Sequence, residues 1–174
     1  MDKASEDMKF NSAYGLKRTV PELTGDLVGF MRAEPLRRYK ITIGTDSQKN
    51  SEDKVDFVSA VVIHRVGSGG RYFWRRLDYG NFHTLRDRII KEVMLSLELG
   101  QQVLAELRSL VPASGPGAEN VPEWEFEIHA DVGEAGATKS LIQEVVGMIR
   151  AYNFEPITKP DSYAASNVAD RHTH

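Results

Sequence analysis

The chain has 174 residues and a mass of 19.5 kDa, with 41% hydrophobic and 27% charged residues, which fits one globular domain around one core. A net charge of −3 and a pI near 6.0 exclude a protein that coats nucleic acid by charge alone, and leave room for a local basic rim. Cysteine is absent, which excludes disulfides and thiolate-bound zinc; with no apolar run of membrane-spanning length and no apolar core in the opening MDKASEDMK, the expected compartment is the cytoplasm.

Residues 1–18 show little periodicity and are expected as an N-terminal arm, leaving 19–174 as the single domain. Thr19 then opens a helix. Pro21 suits its first turn, Glu22 stands three residues after Thr19 as in a capping box, and Leu23, Leu27, Phe30 and Met31 form a stripe that ends before Pro35. Three strands follow. Tyr39–Asp46 is rich in β-branched residues, and Val55–Val66 is apolar on both parities, as in a central strand covered on both faces. The turn GSGG at 67–70 leads into Arg71–Leu77, where Tyr72 and Trp74 alternate with Arg71 and Arg75; so short a connection implies an antiparallel hairpin.

A long helix comes next, with Thr84 and Asp87 at cap spacing, Leu85, Ile89, Val93, Leu97, Leu104, Leu107 and Val111 in period, and a bend expected at Gly100. Residues 112–122 read as an exposed loop. Trp124, Phe126, Ile128 and Ala130 alternate with Glu125, Glu127 and His129, as in a half-buried strand whose polar face, His129 included, meets water. Asp131 ends that strand. Thr138 is expected to open a helix carrying Leu141, Val145, Ile149 and Tyr152, followed by a short strand at 154–158 and a terminal helix at 161–170. The order predicts an α/β fold: a mixed five-stranded sheet, its first three strands antiparallel, with helices on both faces.

Three acidic residues stand where such a sheet places chemistry. Asp46 ends the first strand, Asp131 ends the fourth, and Glu92 lies between Ile89 and Val93, beside the apolar stripe of the long helix. Carboxylates gathered in one place repel each other, and a divalent cation neutralises them; ligands that are all oxygen favour magnesium or manganese. Structural roles account for the same residues: Asp46 and Asp131 as turn caps, Glu92 paired with Arg88 one helical turn earlier.

The order of these carboxylates resembles the ribonuclease H superfamily. More narrowly, KFNSAYG (9–15), IGTDSQ (43–48) and KPDSYAASNVADRHT (159–173) look like the bacterial YkuK-type family of predicted ribonuclease H-related proteins. The resemblance implies a ribonuclease H-like fold and a metal-dependent nuclease acting on RNA or a nucleic-acid hybrid. By the same resemblance Asp46, Glu92 and Asp131 match the first three superfamily carboxylates, and Asp170, with Asp161 as second choice, matches the fourth. Together they would be both catalytic and ligands of two magnesium or manganese ions. Ser47, Gln48, Lys139, Asn167 and His172 are the expected substrate contacts. The alternative is a ribonuclease H-like module that binds nucleic acid or protein without catalysis, its carboxylates paired with Arg or Lys.

Two further features bear on a phosphate-carrying substrate. GEAGATKS (133–140) is a glycine-containing loop opening a helix, whose N–H groups and Lys139 could hold a phosphate; it lacks the second glycine of a Walker loop, and helix entry capped by Thr138 is the simpler reading. Arg71, Arg75 and Arg76 with Tyr72 and Trp74, and Arg86, Arg88 and Lys91 beyond, could track a single strand, or form a solvated face opposite buried aromatics.

Overall fold

A computed structural model describes residues 9–50, 54–112 and 122–172. The first eight residues of the expected arm and nearly all of the expected loop at 112–122 lie outside them. Strands β3 (Tyr39–Lys49), β4 (Val55–Arg65) and β5 (Gly70–Tyr79) pair antiparallel, with Gly44 opposite Ala60 and Ala60 opposite Trp74. Strand β6 (Trp124–His129) runs parallel to β3, with Gly44 aligned to His129, and β7 (Glu155–Ile157) runs parallel to β6. These are the five expected strands.

Two more come from the segment expected as an arm. Strand β1 (Phe10–Ser12) pairs with the outer edge of β5, and β2 (Lys17–Arg18) pairs with β1, so the sheet has seven strands in the order β2-β1-β5-β4-β3-β6-β7. Runs of three and two residues are too short to show alternation. What holds them is the otherwise open edge of β5 and the burial of Phe10, 0% exposed, beneath the Arg75 guanidinium at 4.8 Å.

Helices α1 (Val20–Ala33), α2 (Leu85–Leu110) and α3 (Ile142–Ala151) share one core with the sheet residues Ile41, Ile43, Val61, Ile63 and Ile128. Helix α4 (Ala164–His172) lies over β3 and β4 and stacks on β5 from the opposite face, burying Ala164 and Val168. Residues aligned across neighbouring strands point to the same side, so register assigns every sheet side chain a face. Both expected caps form: Thr19 and Glu22 make a reciprocal capping box, and the Thr84 hydroxyl accepts from the Asp87 N–H at 3.0 Å.

One local expectation fails. Thr138 makes no cap; a 3₁₀ turn (Lys139–Leu141) precedes α3, and the Thr138 hydroxyl instead accepts the Gly133 N–H at 3.2 Å, closing the loop on itself. Gly100 lies inside α2, which is assigned as one helix from Leu85 to Leu110. Its glycine answers a packing demand: a Cβ there would lie 2.9 Å from Ile128 Cδ1 and 3.3 Å from Phe154 Cζ. Gly100→Val is therefore expected to lower stability by about 2 kcal/mol through overpacking. Gly25→Ala, in a helix position with open space around it, should raise stability by about 0.5–1 kcal/mol; urea unfolding midpoints of the two variants check both signs.

Candidate functional site

Helix α2 meets the sheet through Glu92, Ser96 and Gly100, three positions at four-residue spacing and all buried. Small side chains at the second and third let the helix come close, and this brings a carboxyl group at the first against β3. Ser47 Oγ donates to Glu92 Oε1 at 2.5 Å. One turn on, Ser96 Oγ donates to Thr45 Oγ1 at 2.9 Å, and Thr45 shares a hydrogen bond of the same length with Ser59 on β4. Four buried hydroxyl groups and one carboxyl thus form a polar seam between helix and sheet, each with a partner, which is how such groups avoid the cost of burial.

Glu92 is 3% exposed, and its carboxyl pKa is raised from the usual range to about 8. Loss of water is the main cause; Asp46 and Asp131 add repulsion, while the Ser47 bond and the Arg88 charge oppose the rise. Asp46 lies near the end of β3 on the α4 face, two residues beyond Gly44, and its Oδ1 accepts the Ser47 N–H at 2.9 Å. Gly44 is aligned with His129. Carrying that parallel register two residues forward brings Asp131 alongside Asp46, about one strand spacing away. Asp131 Oδ1 is held by Lys159 Nζ at 2.9 Å.

The donor set, carboxylate oxygen throughout, suits magnesium or manganese, and the repulsion felt at Glu92 is what a divalent cation relieves. Among the described residues no three His, Cys, Asp or Glu side chains are grouped to hold a metal ion. Asp131 is engaged by Lys159 and Glu92 by Ser47.

The remaining expected residues fall into separate places. Ser47 is buried and serves Glu92, whereas Gln48, Lys139 and Asn167 are exposed. Asp170 belongs to α4, which crosses β3 and β4; its side chain lies outside the described residues. Asp161 is exposed in the turn after Pro160. His172 stacks on Trp74 with ring centres 4.0 Å apart and sits 3.4 Å from the Tyr72 hydroxyl, two strands from β3; burial, then Arg171 and Arg76, lowers its pKa. The arginine hairpin is not one surface. Arg71 and Arg75 turn toward Phe30 and Phe10 on the helix-covered face, while Tyr72, Trp74 and Arg76 meet the end of α4.

His129 corrects the expectation of a surface residue. It is 3% exposed and Glu127 is 8% exposed, because the chain after β7 returns over the end of β6. His129 Nδ1 accepts the backbone N–H groups of Tyr163 at 3.1 Å and Ala164 at 3.3 Å, so its proton sits on Nε2 and is donated to Glu127 Oε2 at 3.1 Å. A neutral imidazole thus anchors the start of α4, and burial lowers its pKa. Strand alternation alone could not show this, since the covering segment is more than 30 residues away.

The ribonuclease H-like family model matches residues 22–174. "Uncharacterized protein YkuK" of Bacillus subtilis (strain 168) is 35% identical over 164 residues, covering 89% of this chain and 91% of that protein. The chain belongs to the ribonuclease H-like family, of the YkuK type. No solved structure matches it. No helix among the described residues is long and apolar enough to cross a membrane.

In this ribonuclease H-like sheet the raised pKa of Glu92 has a cost. Above pH 4.5 the unfolded carboxyl ionises while the folded one keeps its proton up to about 8, so stability falls with rising pH across that window. Glu92→Gln removes the effect. The variant should match or trail the parent below pH 4.5 and gain on it by several kcal/mol by pH 8–9, measured as unfolding free energy against pH.

Proposed function

We propose that this chain is a divalent-metal-dependent nuclease that hydrolyses phosphodiester bonds of RNA or a nucleic-acid hybrid. The observation that supports this most is the Glu92 carboxyl, whose proton affinity is raised first by burial and further by Asp46 and Asp131 beside neighbouring parallel strands, in a chain of the ribonuclease H-like family. Asp46 and Asp131 would hold the metal from the α4 side and Glu92 from the α2 side, with Asp170 as the fourth carboxylate. Bound magnesium or manganese, two ions in the superfamily pattern, would supply the charge that activates water and stabilises the leaving oxygen. Ser47 fixes the orientation of Glu92, and the burial of that carboxyl leaves charges beside it poorly screened. Exposed Gln48, Lys139 and Asn167 are free to meet the substrate backbone. His172, two strands away, would contact substrate rather than carry the reacting proton.

The ion pair between Lys159 and Asp131 favours a second reading, a non-catalytic module on the same scaffold that binds nucleic acid or protein. Calorimetric titration of manganese into the parent and Asp46→Asn, followed by cleavage assays on RNA, hybrid and DNA, separates the two. The nuclease reading expects saturable binding that Asp46→Asn abolishes, and at least a hundredfold loss of cleavage in Asp46→Asn, Glu92→Gln and Asp131→Asn. Neither binding nor cleavage in the parent would leave the module.

A further inference from the structure

We infer that Lys159 is the tethered counter-ion of the carboxylate site: its ammonium holds Asp131 until a divalent cation takes its place. The inference rests on the metal-binding reading above and names the residue that regulates that site. Lys159 does not reach Asp131 as a loose surface side chain. Its N–H donates to the Val132 carbonyl at 2.8 Å, continuing the pairing in which the Ala130 N–H donates to Ile157 at 2.9 Å. Its backbone is thereby fixed beside the residue that follows Asp131. The stem then passes directly over Gly133, where a Cβ would lie 2.9 Å from Lys159 Cβ and 3.5 Å from Lys159 Cδ. Any other residue at 133 would push the stem aside, so Gly133 opens the lane along which the ammonium reaches the carboxylate.

The strength of the contact suits a replaceable ion. Lys159 and Asp131 side chains are 51% and 29% exposed. An ion pair so open to water is weak, and one positive charge satisfies one carboxylate where a divalent ion can bridge several. Lys159 therefore supplies a charge that balances Asp131 in the metal-free protein and competes for it when metal arrives.

The test is manganese titration by calorimetry, on the full chain at low salt, of the parent, Lys159→Gln, Lys159→Arg and Arg108→Gln. Arg108 makes the same charge change 16 positions along α2 from Glu92, about 24 Å away. Lys159→Gln should bind manganese about fivefold more tightly, the equivalent of ~1 kcal/mol for an exposed pair. Lys159→Arg and Arg108→Gln should bind as the parent does. Equal or weaker binding by Lys159→Gln, or equal tightening by Arg108→Gln, would overturn the role of Lys159 and leave the metal site standing. No binding by the parent or Lys159→Gln would overturn both.

Discussion

The Glu92 carboxyl is carried by a helix that packs against the sheet, in a position where ionisation costs solvation and neutrality costs a proton from solution. An apolar residue there would avoid both costs. The charge-bearing group stands at one of the contacts between α2 and the sheet, and the surroundings are arranged for it. Ser47 supplies the hydrogen bond, Ser96 and Thr45 continue a satisfied polar row, and Gly100 lets the helix approach Ile128 and Phe154. Such a group is expected where a site needs charge more than the fold needs an apolar contact.

The second constraint is the return of the chain across the other face. His129, held neutral between Glu127 and two backbone N–H groups, anchors the start of α4 over β3 and β4. The stacked His172 and Trp74 fix its far end against β5. Asp46 and Asp131 thus sit on the face that α4 crosses, while Glu92 approaches β3 from the other. Both aspartates lie close enough to Glu92 for their charges to add to the rise in its pKa that burial begins.

Much of this was legible in the residues. The alternation in 124–130, the caps at Thr19 and Thr84, and the doubly apolar run of β4 reported elements whose physics is local. The placement of Asp46 on β3, Glu92 on α2 and Asp131 just after β6 was also readable. What escaped depends on partners distant in the chain. The edge strands at Phe10 and Lys17 exist because β5 offers an edge, and His129 is buried because residues 163–164 cover it. Gly100 reads as a helix weakness until Ile128 and Phe154 are seen against it. Lys159 carried no sequence signal beyond membership of a motif, because its meaning lies in the pairing beside Val132 and the lane over Gly133.

The account depends on Glu92 being held near its neighbours' charges in a dry setting, and carbon-13 NMR titration of its side-chain carboxyl measures this directly. The expected midpoint is about 8 without metal, moving down when magnesium is added. A midpoint in the ordinary glutamate range, unchanged by magnesium, would contradict the account and reduce Glu92 to a solvated helix residue.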